Sequence, residues 1–140
     1  MEWTYDKEKI AESYLNIAEM YHYGEEADPF AALTFYKKAA DLGNVRAAVF
    51  MSEYYRNQGD FAKELKWLKN MDEGKGKMPA HIAYRLGQFY QYGWEGEKPD
   101  WNKAYILFSQ AAEDGCKKAK DTLRFWVFHK WGCILREAME

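Results

Sequence analysis

The apolar residues of this chain recur at spacings of three, four and seven rather than two, which points to helices with one packed face and not to strands. In DPFAALTFYKKAADLG, from Asp28 to Gly43, Ala32 is followed by the bulky pair Phe35-Tyr36 and the double alanine Ala39-Ala40. DWNKAYILFSQAAEDG, from Asp100 to Gly115, repeats the order with Ala104, Leu107-Phe108 and Ala111-Ala112. Each segment opens on an Asp, whose carboxylate accepts hydrogen bonds from the free N–H groups of a first helical turn. Each closes on a Gly, suited to the left-handed position beyond the last turn. The paired alanines leave room for a neighbouring helix. The pattern predicts helices near 7–23, 28–42, 45–58, 61–73, 79–92, 101–114 and 117–138, with no β-sheet.

The helices come as a repeat. SYLNIAEMYHYG from Ser13 recurs as IAYRLGQFYQYG from Ile82, and both end in Tyr-x-x-Gly, at Tyr21 to Gly24 and Tyr90 to Gly93. The two glycines lie 69 residues apart, or two periods of the length typical of helical-hairpin repeats. A looser middle copy, AAVFMSEYYRNQGD, sets Tyr55 against Tyr21 and Tyr90, with one residue added before Gly59. One hairpin cannot bury its apolar face alone, so neighbours stack into a continuous core. The expected fold is all-α: a right-handed α-α superhelix (solenoid) of about three helical-hairpin repeats, at 9–44, 45–78 and 79–116, plus a C-terminal capping helix over 117–140. Its length suits a single domain spanning 1–140.

The pattern A-x-Y-x-L-G-x-x-Y-x-x-G followed by D-x-x-K-A-x-x-W-Y-x-x-A-A-x-x-G resembles that of Sel-1-like repeats, relatives of tetratricopeptide repeats. The third unit carries Leu86, Gly87, Tyr90, Gly93, Asp100, Lys103, Ala104, Ala111, Ala112 and Gly115; the first carries Ile17, Ala18, Tyr21, Gly24, Asp28, Ala32, Tyr36, Ala39, Ala40 and Gly43. The middle unit departs, since FAKELKWLKNMDEG lacks the double alanine. The resemblance covers residues 11–116 and implies a protein-binding module whose concave face is lined by the first helix of each hairpin. Counting from Ile17, Met51 and Leu86 places Glu12, Leu15, Glu19, His22 and Tyr23 on that face, with Arg46, Val49, Glu53, Arg56 and Asn57 from the second repeat. The third repeat adds His81, Tyr84, Gln88, Gln91 and Tyr92. The face mixes aromatics, amides and charge, without the Lys/Arg clamp that would hold an acidic peptide terminus.

Composition removes several functions. The formal charge of −2, from 20 basic and 22 acidic residues, gives no field for nucleic acid or anionic membranes. No run approaches the ~18 apolar residues of a membrane span, and MEWTYDKEKIAESY is too polar for a signal peptide, so a cytoplasmic location is expected. Cys116 and Cys133 stand apart and read as buried reduced thiols. There is no H-E-x-x-H, no G-x-S-x-G and no G-x-x-x-x-G-K-[ST]. Gly74-Lys75-Gly76-Lys77 lacks the spacing of a phosphate loop and reads as the turn between repeats. His22, His81 and His129 do not converge on a metal, and no acid pair is set for proton transfer. No catalytic, metal or cofactor residue is assigned.

A second candidate surface is the C-terminal segment LRFWVFHKWGCIL, apolar around most of a helical wheel. Leu123, Trp126, Val127 and Ile134 suit a cover for the last repeat, which turns Phe125, Phe128, Trp131 and Leu135 outward toward a partner or a second copy of the chain in a homodimer. The alternative is that the segment folds across the groove or kinks at Gly132 and buries both faces. Function is expected to be non-catalytic: an adaptor or scaffold binding a protein partner, or alternatively a small immunity or antitoxin-type protein that neutralises a bacterial toxin or effector by direct binding.

Overall fold

The computed structural model describes residues 2–74 and 77–126, with side chains from Asp6 onward. Every regular element among them is an α-helix: α1 (Glu2–Tyr23), α2 (Pro29–Asp41), α3 (Val45–Asn57), α4 (Phe61–Glu73), α5 (Ala80–Tyr92), α6 (Trp101–Glu113) and α7 (Lys117–Arg124). The helix ends agree closely with the sequence pattern except at α1, which begins five residues before the expected position, and at α7, expected to run to 138 but ended at Arg124 by the turn at Phe125. The remainder of the predicted terminal helix, from 127 on, lies outside the described residues, as do His129, Cys133, Lys75 and Gly76. The chain packs as two compact units that divide between Lys77 and Met78.

In the first unit α1 pairs with α2 and α3 with α4, and α2 packs on α3. Four of the helices start on a side-chain cap. Asp28 accepts from the N–H groups of Phe30 and Ala31, Asn44 from Ala47, Asp60 from Lys63 and Asp100 from Lys103, each cap worth about 1 kcal/mol. A second bond sets each hairpin turn. The N–H of the capping Asp donates to a tyrosine carbonyl one helix back: Asp28 to Tyr21 at 3.0 Å, Asp60 to Tyr55 at 2.9 Å and Asp100 to Tyr90 at 2.8 Å. The three tyrosines aligned by the repeat thus share one backbone role, whatever the turn length. The core of this unit is built on Leu15, Met51 and Leu68, all essentially inaccessible, with Ala18, Ala39 and Ala47 between them. Fully burying such a large side chain contributes about 1.5–3 kcal/mol.

In the second unit α5 pairs with α6, and α7 packs on α6. Phe108 is its fully buried centre, tilted against Tyr84 at 5.5 Å and edge-on to Trp126 at 5.6 Å. Trp101 meets the other side of Trp126 at 5.1 Å. Ala83, Ala104, Ala111 and Ala119 complete the cluster. Their small side chains let three helices approach Phe108. Gly87 belongs to the same contact: a Cβ there would sit 2.8 Å from Cε1 of Phe108. Beyond α5, Gly93 has φ +73°, and a Cβ on it would lie 2.7 Å from the Glu97 carbonyl oxygen. That turn is closed by paired backbone bonds between Trp94 and Glu97.

Candidate functional site

Six side chains of the first unit meet where α1 ends. Glu19, His22 and Tyr23 are three and four residues apart, so they share one face of α1's last turns. Arg46 and Phe50 are likewise i and i+4 on α3, and Tyr36 comes from α2. The Tyr36 hydroxyl lies 3.2 Å from Nδ1 of His22. Its ring stacks on Phe50 at 3.7 Å with an 18° interplanar angle. The His22 ring stacks on Tyr23 at 4.1 Å and meets Phe50 edge-on at 5.4 Å. Beside the rings Nη2 of Arg46 bonds Oε1 of Glu19 at 3.0 Å. Tyr36 is buried and Phe50 half-buried, whereas His22 is exposed and Tyr23 is 77% exposed.

Burial pushes the Tyr36 phenol up to about 12, with Tyr23 and Glu19 adding to the rise and Arg46 opposing it. The phenol is therefore neutral throughout the physiological range and can donate to Nδ1 of a neutral His22. A phenol held protonated is a poor nucleophile, and the cluster gives His22 a phenol as partner rather than an orienting carboxylate. The arrangement suits recognition. It presents flat ring surface with polar tips and a flanking ion pair whose arginine is largely solvated, a pair worth only about 0–1 kcal/mol to the fold.

The other predicted positions fall as follows. Glu53, Arg56 and Asn57 are exposed on α3, and Val49 is half-buried. Glu12 is exposed and accepts from Nδ2 of Asn44 at 3.5 Å, while Leu15 is core. In the second unit His81 is exposed and Tyr92 is 72% exposed. Tyr84 and Gln88 are half-buried and bonded to each other at 3.4 Å, with Gln88 donating. Gln91 corrects the expectation of a presented side chain, since it is only 5% exposed. It falls on the row Ala83–Gly87–Gln91, at four-residue intervals, whose first two members are buried on α5's packed face. In the terminal segment Phe125 is half exposed, and Trp126 and Leu123 pack into the Phe108 cluster as the covering role requires. Phe128, Trp131 and Leu135 lie outside the described residues. Cys116, read as buried, is a half-buried free thiol.

Sequence reasoning missed Tyr36 and Phe50 as members of the site. Tyr36 was absorbed by the repeat pattern as a packing position. Phe50 was legible from its place one turn beyond Arg46. Among the described residues no three His, Cys, Asp or Glu side chains gather as a metal site. No described helix is long and apolar enough to cross a membrane.

Comparison with known proteins agrees with the helical-hairpin fold. The Sel1 repeat model matches residues 11–44 and 81–116, the first and third hairpins. Among solved structures, a protective antigen present in uropathogenic Escherichia coli strains and displaying an SLR fold superposes with a TM-score of 0.59 at 25% identity. The match covers 78% of this chain and 24% of that one, so the chain spans about a quarter of the larger protein. The fold is thus an all-α solenoid of helical hairpins. No curated protein matches the chain.

Proposed function

This chain belongs to the Sel1 repeat family, and from that premise we propose that it is a non-catalytic adaptor or scaffold that binds a protein partner through the exposed face of α1 and α3. Sel1 repeats are generally protein-interaction modules. The observation that carries the reading is the ring cluster with its flanking ion pair. Tyr23, His22 and Arg46 are presented to solvent on a base of the buried Tyr36 stacked on the half-buried Phe50. Aromatic and arginine side chains held in this way are the residue types that dominate binding energy at interface centres. Glu19 is part of the cluster, and Glu53, Arg56 and Asn57 on α3 form its polar surroundings. In the second unit Tyr84, Gln88 and the exposed Tyr92 are the corresponding contact candidates, and Phe125 is the described member of the terminal patch, available to the partner or to a second copy of the chain.

Affinity capture with the wild type beside Tyr23→Ser and Arg56→Glu variants of equal thermal stability tests the surface. A partner held by the wild type and lost by both variants supports it. A partner held equally by all three moves the binding site elsewhere.

A further inference from the structure

The first unit also holds a cleft of about 720 Å³, lined by none of the ring cluster's residues. Its size lies in the range of sites that take small ligands, with room for a long side chain together with the segment that carries it. The floor is apolar, formed by Ala11, Ala48 and Met71, all buried. The rim carries Glu8 and Glu12, one turn apart on α1, and the carboxamides of Asn44 and Asn70. The 3.5 Å bond from Asn44 to Glu12 is long, so among the described residues most of that carboxylate's acceptor capacity is unused.

Two helices also end here, α2 at Leu42 and Gly43 and α4 at Asn70 to Gly74. A helix C-terminus carries about half a negative charge. The last turn of α4 holds no basic residue, and Lys38 in the last turn of α2 sits over the Tyr14 and Phe35 rings and does not line the cleft. Opposing these are Lys7 in the lining and the N-terminus of α3, capped by Asn44. Among the described lining residues two carboxylates and two helix C-termini outweigh one lysine and one helix N-terminus, so that lining is net negative over an apolar floor.

We propose that this cleft receives a lysine or arginine side chain from a basic segment of the protein partner, a proposal that rests on the interaction-module reading. The apolar floor covers the methylene stem, and the carboxylates and carboxamides of the rim take the charged head.

The test is fluorescence anisotropy on the full chain. The probes are a fluorescein-labelled peptide bearing lysine and arginine, and a twin with glutamine at those positions. The basic peptide is expected to bind at least about tenfold more tightly than its twin, and to weaken with salt. The Glu8→Gln, Glu12→Gln double variant should lose about tenfold or more. Asn70→Arg places a cation in the cleft and at the end of α4, so it should block the peptide while leaving the melting temperature unchanged or higher. Equal binding of the two peptides, or of wild type and double variant, overturns the proposal. So does displacement by spermidine at concentrations matching the peptide's charge, which identifies a site for free polyamines. If a captured partner is lost by Tyr23→Ser yet kept by the double variant, the cleft is overturned and the interaction reading stands. If no partner depends on the ring cluster while the double variant still loses the basic peptide, the surface reading fails and the cleft stands.

Discussion

Replacing Gly87 by alanine places one methyl group at the most crowded contact in the second unit. The added Cβ lies 2.8 Å from Cε1 and 3.0 Å from Cδ1 of Phe108, against the roughly 3.5–4.0 Å at which carbon atoms rest. The ring has nowhere to retreat, because it is fully buried with Tyr84 and Trp126 against it. Overpacking of this kind costs about 1–3 kcal/mol. Alanine also raises helix propensity by about 0.8–1.0 kcal/mol over glycine, which offsets part of that cost. The two terms leave a loss of up to about 2 kcal/mol, seen as a melting temperature lowered by up to about 7 °C. In urea the midpoint should fall with little change in slope. Phe108→Leu in the Gly87→Ala background removes the ring edge that clashes. The two substitutions together should therefore cost at least about 0.5 kcal/mol less than the sum of their separate costs. If Gly87→Ala exceeds the wild type in stability, or if the pair is additive, the contact between α5 and α6 is not as tight as described.

Other substitutions probe single features. The Tyr36 pKa is raised on folding, so its contribution to stability is intact below pH 10 and is lost as pH rises toward about 12. Tyr36→Phe should flatten the fall in stability between those values, and at pH 7 should cost about 0.5–1.5 kcal/mol through the lost bond to His22, both read from urea titrations at stepped pH. An identical alkaline limb in wild type and variant would place that titration elsewhere. Gly93→Ala forces a side chain into a positive φ and against the Glu97 carbonyl, so it should cost about 1–3 kcal/mol in a thermal melt. Arg46→Ala breaks a solvated ion pair and should move stability by less than about 1 kcal/mol while weakening partner capture; a large drop in melting temperature would mean the pair supports the fold.

Much of the fold was legible because the signals are local. Asp28 and Asp100 cap the helices they were expected to cap, and Gly43 and Gly115 take positive φ just beyond the helix ends. The early start of α1 was not legible, because Thr4 and Asp6 are both capping types that signal a later start, whereas the helix runs through them from Glu2. The candidate site was read in part. Glu19, His22, Tyr23 and Arg46 were placed on one concave face by counting from the repeat register. Phe50, one turn beyond Arg46, was not named, and Tyr36 sits on α2, so only the fold brings it to the other rings. Gln91 was misplaced because the counting rule assumed equal packing in all hairpins, whereas the small residues Ala83 and Gly87 extend the buried row of α5 to its last turn.

Among the described helices the dense packing is between neighbours along the chain: α1 with α2, α2 with α3, α3 with α4, α5 with α6, and α6 with α7. Such a chain closes short loops and has few distant ends to bring together, which places it among fast folders on the microsecond-to-millisecond scale. Native-state amide exchange should accordingly reveal hairpin-sized openings, with protection strongest around Phe108 and Leu68 and weakest at the turn after Gly93. A partner that engages only the ring cluster would then slow exchange in α1 to α3 before it altered any other helix.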